Sequence, residues 1–144
     1  MNKFWRFLNL DLDGKAMLLA AVGYLLIGRI LVAALPIQNI FQMALAGQRE
    51  PSVAAPAHDR APGIAWAIGV ACQYVPWRSD CLVRSVAALL WARRAGLDPV
   101  FHLGIKQEDA SEMLAHTWLT VGEIYVTDPG APNAFSPFGN LSIR

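Results

Sequence analysis

Three residues of this chain, Cys81, His116 and Asp128, have the types and the order that nucleophilic acyl transfer needs. A thiolate attacks a carbonyl, an imidazole moves the proton, and a carboxylate holds the imidazole in one tautomer. Cys81 opens the run CLVRSVAALLWARRAG (81–96), which is apolar almost all round. That run predicts a helix. Ser79 or Asp80 can cap its start, Arg93 and Arg94 fall in its last turn, and Gly96 can supply a left-handed stop. A thiol at that start faces unpaired N–H groups and the positive end of the helix dipole, which favour the thiolate.

Each residue also has a plainer reading. A free cysteine is often a small buried hydrophobe, and Cys72, placed mid-helix among apolar residues, reads as core. Asp128 stands before Pro-Gly and suits a turn. His116 lies in Ala-His-Thr-Trp on a strand, where a solitary histidine is usually structural. The convergence of the three favours a catalytic set of Cys81, His116 and Asp128. Gln73, upstream of the cysteine, is a candidate side-chain donor to an oxyanion. His102 shares a strand face with Gly104 and Lys106, has no carboxylate partner in view, and reads as structural. His58 falls in a loop. The histidines and cysteines lack zinc-ligand spacing, so neither metal nor cofactor is called for. Arg84, charged in the first turns of a buried helix, requires a carboxylate or a carbonyl. Ser85 reads as a packing contact and Trp118 as core.

The elements that must position these groups follow from periodicity. Asp11 or Asp13 can cap a helix over 15–34, which Pro36 ends. Residues 37–46 predict a second short helix, stopped by Gly47. Residues 47–62, with three prolines, form a loop between an N-terminal helical lobe (1–46, part of the same domain) and a catalytic core (63–144). Residues 62–72 predict a helix with Pro62 in its first turn. Ile64, Ile68 and Cys72 fall on one face of it. Residues 98–106 predict a strand, 107–114 a polar loop, 115–121 and 124–128 a hairpin around Gly122-Glu123, and 129–144 an irregular tail. A three-residue turn, Val121-Gly122-Glu123, would pair His116 with Asp128 on one face. A two-residue turn would put Asp128 on the opposite face. Either register fits the sequence. Packing of its face, shared with Trp118 and Thr120, on the Cys81 helix would deliver His116 to the thiol; the opposite face (Leu119, Val121, Tyr125) is apolar too and could pack there instead.

The chain has 144 residues, enough for one domain. Its net charge of +1 and the absence of a basic run interleaved with aromatics give no footprint for nucleic acid. Two cysteines are too few for a disulfide scaffold and indicate a reducing cytoplasm. The chain is 55% hydrophobic. The excess is concentrated in residues 16–35, about one membrane thickness long and interrupted by Arg29. This segment suits a buried helix packed on the domain first, and a weak membrane contact second.

The segments CLVRSVAALLWARRAGLDPVFHLGIK and AHTWLTVGEIYVTD resemble the leader peptidase of lasso-peptide biosynthesis, a transglutaminase-like cysteine protease. That family shows Cys-Leu-x-Arg-Ser before a Leu-rich helix, an Arg-x-Gly helix end, a strand with an Ile-Gly pair, Ala-His-x-Trp, and an aspartate after a hairpin. Here the pair is reversed, as Gly104-Ile105. The likeness covers about Pro76 to Asp128. It implies an α+β fold with a transglutaminase- or papain-like core, in which a buried helix bearing the cysteine packs on a small antiparallel sheet. It implies that Cys81, His116 and Asp128 remove the leader from a ribosomally made bacterial precursor peptide. Residues 1–60 lack a small winged-helix pattern. The resemblance is therefore to the stand-alone protease of split systems, whose partners are the precursor peptide, a leader-recognition protein and the lasso cyclase. Two other functions use the same residues differently: a transglutaminase-like amidase or acyltransferase, and a membrane-associated scaffold subunit in which Cys81 is incidental.

Overall fold

The computed structural model describes residues 3–46, 60–109, 112–128 and 136–137. Among the described residues, five helices precede a sheet: α1 (Lys3–Leu8), α2 (Leu12–Ala34), α3 (Ile37–Leu45), α4 (Ala61–Ala71) and α5 (Cys81–Arg94). The strands are β1 (Pro99–Asp109), β2 (Glu112–Val121), β3 (Ile124–Tyr125) and β4 (Ser136–Pro137), in the antiparallel order β3-β2-β1-β4. The architecture is the α+β arrangement expected, with α5 buried between helices and sheet.

Helix α5 is the hub because it is apolar almost all round. Val83, Val86, Ala87, Ala88, Leu89, Trp91 and Ala92 are all buried, as befits a helix enclosed by neighbours. Its end is a Schellman motif. The Leu97 N–H reaches the Ala92 carbonyl at 2.9 Å, the Gly96 N–H reaches Arg93 at 3.1 Å, and Gly96 takes φ 78°. Arg93 does more than favour a helix C-terminus. Its guanidinium donates to the carbonyls of Met43, Ala44 and Ala46 at 3.0, 2.8 and 2.7 Å. Those are carbonyls left without intrahelical partners at the end of α3. Burial lowers the pKa of Arg93.

Helix α2 starts where Asp11 accepts the Gly14 N–H at 2.8 Å. It buries Leu18, Ala21, Leu25 and Gly28, one face at helical spacing, in the same core as α4 and α5. The opposite face leaves Leu12, Leu19, Leu26, Ile27 and Ile30 exposed. α2 is long and apolar enough to cross a membrane by length and composition. An engaged face and an open apolar face are compatible with a soluble protein or with weak membrane association.

Helix α2 approaches α5 closely at Gly28. A Cβ there would lie 2.9 Å from the Val83 carbonyl oxygen and 3.3 Å from the Ala87 nitrogen. Both are backbone atoms, so the helices themselves would have to separate. The stacked rings of Tyr24 and Trp91, 5.3 Å apart, join the same two helices. Gly28→Val is therefore expected to destabilise the protein by about 1–3 kcal/mol, outweighing any gain in helix propensity. Thermal unfolding followed by circular dichroism measures it. An unchanged melting temperature would mean that the helices part freely.

The structure corrects two expectations. Residues 107–109 and 112–114 are not a loop: β1 and β2 stay paired out to Asp109 and Glu112, with a register shift between Gln107 and Asp109. Once the ladder is set by Pro99 against Val121, backbone bonding propagates it through a polar stretch. Cys72 is not mid-helix. It caps the end of α4, and its thiol donates to the Gly69 carbonyl at 3.3 Å. The Gly47 stop and His58 lie outside the described residues, as does the tail from 129 apart from β4.

Candidate active site

Cys81 is the first residue of α5 because Asp80 caps the helix. Asp80 Oδ1 accepts the Val83 N–H, and the Asp80 carbonyl accepts the Arg84 N–H, each at 3.0 Å. Of the two cap candidates in the sequence, Asp80 fills the role. Helix geometry leaves the N–H groups of Cys81 and Leu82 without intrahelical partners, and such groups suit an anion. The Cys81 thiol is free and partly exposed.

The hairpin has the two-residue turn. Thr120 pairs with Tyr125 and Val121 with Ile124 around Gly122-Glu123. The β2 face that meets α5 carries Thr117, Leu119 and Val121, so the face assumed to deliver His116 is the other one. By simple alternation Asp128 and His116 should then lie apart. Yet His116 Nε2 is 3.1 Å from Asp128 Oδ2.

The reason is that β3 stops at Tyr125. The Val126 N–H still reaches the Leu119 carbonyl at 2.9 Å, but the Thr127 N–H leans on the same oxygen at 3.4 Å. The Leu119 N–H is taken by the Thr127 hydroxyl at 3.0 Å, so a side chain replaces the strand and ends the ladder. Asp128 follows with φ 47°, a left-handed conformation that aspartate tolerates better than most residues. The carboxylate is thereby turned out of the strand's alternation to the edge of β2, where it meets His116.

The same carboxylate is held from the helix. Arg84 Nη1 lies 3.2 Å from Asp128 Oδ1, and Arg84 Nε–H donates to the Asp80 carbonyl at 3.4 Å. Arg84 thus has both a carboxylate and a carbonyl as partners. Ser85 is more than a packing contact. Thr117 Oγ1 donates to Ser85 Oγ at 3.3 Å, and Ser85 Oγ and Thr127 Oγ1 are 3.5 Å apart, all three residues being buried. Thr117 follows His116 and Thr127 precedes Asp128. A buried hydroxyl cluster therefore fixes both strand segments to α5. Residues three apart on a helix are neighbours, with Cβ atoms about 5–6 Å apart, so Cys81 adjoins Arg84. The structure brings His116 and Asp128 into contact and ties that pair to the helical turn of Cys81. Sequence reasoning missed Thr117 and Thr127. The available signal was a threonine beside each polar candidate and a serine one turn after the cysteine.

A hydrogen bond from Nε2–H to this carboxylate would leave the basic lone pair on Nδ1. The Trp118 ring stacks near that of His116, at 6.3 Å between centroids, and on that of His102 at 5.3 Å. His102 Nε2 is 2.8 Å from Thr120 Oγ1, and burial lowers the His102 pKa. The folded protein thus resists protonation of His102. The unfolded chain accepts the proton below about pH 6.5. This contribution to stability is full above that pH and is lost as pH falls. His102→Gln should flatten the dependence of melting temperature on pH between about 7 and 5. An unchanged slope would assign the acid sensitivity to another group.

Gln73 donates its side-chain amide to the Gly69 carbonyl at 3.1 Å, turning back on α4. Among the described residues, three buried polar side-chain atoms have no hydrogen-bond partner: Trp77 Nε1 and Ser79 Oγ, on the connection entering Cys81, and Asp128 Oδ2. Such atoms are rare in folded proteins. For Asp128 Oδ2, the contact with His116 has ion-pair distance but not hydrogen-bond alignment. Arg84 and Asp128 also line an open cavity of about 300 Å³, whose other walls are Ala65, Ile68 and Gly69 of α4 and Tyr125–Thr127. Among the described residues, no three His, Cys, Asp or Glu side chains gather as a metal site requires.

A family model described as the transglutaminase-like superfamily matches residues 25–140, from within α2 through the whole sheet. No curated protein and no solved structure gives a significant match.

Proposed function

The chain belongs to the transglutaminase-like superfamily, and on that premise we propose that it is a cysteine peptidase that removes the leader from a lasso-peptide precursor. The superfamily includes cysteine proteases and commonly uses cysteine-dependent catalysis. The observation that carries the proposal is the His116–Asp128 contact, anchored through Arg84 to the turn of α5 that begins with Cys81. The resemblance of residues 76–128 to leader peptidases supplies the substrate.

In this reading, Cys81 Sγ attacks the scissile carbonyl carbon, and the developing oxyanion is met by the Cys81 N–H. His116 transfers the thiol proton to the leaving amine as the C–N bond breaks, leaving a thioester on Cys81. It then takes a proton from water, whose oxygen attacks the thioester and releases the leader carboxylate and the thiol. Asp128 keeps the imidazole in the productive tautomer. Gln73 is a secondary candidate for the oxyanion, with one of its amide N–H groups committed to Gly69. A separate leader-recognition protein raises the local concentration of the precursor at Cys81, and the lasso cyclase takes the freed core peptide.

The test is incubation of the protein with precursor peptide, with and without the recognition protein, followed by mass spectrometry. Release of an intact leader and core, faster with the recognition protein, supports the reading. Transfer of the acyl group to an added amine in place of water would make the chain an acyltransferase. No reaction, together with Cys81 no more reactive to iodoacetamide than Cys72, would leave the cysteine incidental.

A further inference from the structure

We propose that Arg84 is a positioning residue that sets the orientation of the Asp128 carboxylate, and through it the tautomer and aim of His116. The inference rests on the reading above in one respect, that His116 is the base partnered with Cys81. Asp128 has two carboxylate oxygens, and they are held unequally. Oδ1 faces the Arg84 guanidinium at 3.2 Å. Oδ2 lies 3.1 Å from His116 Nε2 but makes no aligned hydrogen bond. The imidazole therefore does not fix the carboxylate plane.

The backbone brings Asp128 to the edge of β2, through the bonds of Val126 and Thr127 to Leu119 and the left-handed φ of 47°, but it leaves the side-chain torsions that orient the carboxylate unset. Among the described residues, the guanidinium is what remains. Arg84 is rooted on α5, and its Nε–H is spent on the carbonyl of the cap residue Asp80. The same Asp80 side chain starts the helix on which Cys81 sits. A brace thus runs from the Asp80 carbonyl through Arg84 to Asp128 and on to His116. It gives the nucleophile and the base a common reference, the first turn of α5. A planar, permanently charged guanidinium suits the task, because it meets a carboxylate at a defined angle.

The pair is partly open to solvent, with side-chain exposures of 28% for Arg84 and 20% for Asp128. Its contribution to global stability is accordingly small. Loss of Arg84 should thus act on chemistry and spare folding. The rival role for Arg84, binding a substrate carboxylate in the adjoining cavity, predicts a different pattern.

Two measurements decide. The first needs no substrate: nitrogen-15 NMR of the imidazoles in histidine-labelled protein. Wild type should show His116 as the Nε2–H tautomer. Arg84→Gln should give a mixture of tautomers, as should Asp128→Asn, while Arg84→Lys should restore part of the bias. Circular dichroism confirms that each variant is folded. A His116 that stays fully Nε2–H in folded Arg84→Gln overturns the proposal.

The second is steady-state cleavage of the precursor peptide. Arg84→Gln should lower kcat about 10-fold or more with KM little changed. In an Asp128→Asn background it should add almost nothing, because both changes cut one brace. A rise in KM alone, or full additivity with Asp128→Asn, assigns Arg84 to substrate and overturns the proposal. Wild-type protein that leaves the precursor intact overturns the peptidase reading, and the tautomer measurement still decides on the brace.

Discussion

Cys81→Ala is expected to abolish leader release while leaving the protein folded. The substitution removes the only atom in the proposed mechanism that forms the covalent intermediate. Loss of the nucleophile from a catalytic triad costs on the order of 10⁶ in kcat. The fold should survive, because Cys81 is a partly exposed first-turn residue and the helix start is secured by Asp80, not by the thiol. Cys72→Ala is the control. That thiol bonds back to Gly69 within its own helix end, so its loss should leave turnover near wild type. The measurement is mass-spectrometric release of leader over time, with circular dichroism on each variant. Wild-type release by Cys81→Ala would end the peptidase reading. Loss of activity in Cys72→Ala alone would move the nucleophile.

His116→Ala should be the next most damaging change. One imidazole serves both proton transfers, from the thiol to the leaving amine and from water to the thiol. General acid–base catalysis is worth about 10²–10⁴ for a single positioned group. The loss should therefore reach about 10⁴, and it should fall on acylation as well as on thioester hydrolysis. Single-turnover kinetics separate these steps. His102→Ala distinguishes a specific role from disturbance of the aromatic stack, since both imidazoles stack with Trp118 and only His116 meets Asp128. Equal losses from His102→Ala and His116→Ala would show that the stack is what matters. A His116→Ala protein with a normal rate of thioester formation would remove His116 from the first step.

Much of this site is legible in the order of its residues. The start of α5 at Cys81, its cap at Asp80 and its stop at Gly96 are local events, written in adjacent residues by propensity and hydrogen bonding. The break at Pro36 is equally local in origin. The pairing of β1 with β2 is legible only in part. Alternation locates the strands, but the charged stretch 107–114 reads as a loop, because periodicity reports burial and a backbone ladder extends without it.

The Asp128 geometry shows where such reading ends. Two hairpin registers fit the sequence, and the one found is the one that, by strand alternation, should have kept Asp128 from His116. The contact exists because Thr127 Oγ1 accepts the Leu119 N–H, because Asp128 takes a left-handed φ, and because Arg84 reaches across from a helix more than 40 residues earlier in the chain. None of these is a property of the hairpin alone.

The sequence by itself therefore determined most of the helices, with their caps and stops, and the candidates for the reactive groups. Each depends on interactions between residues a few positions apart, and those are encoded in spacing. Tertiary structure decided which face of β2 meets α5, how the buried Ser85, Thr117 and Thr127 hydroxyls satisfy one another, and to which partner Arg84 gives its charge. These outcomes depend on the docking of helix against sheet. Docking depends on shape and on the pairing of buried polar groups between distant segments, and neither has a period that a linear reading can detect.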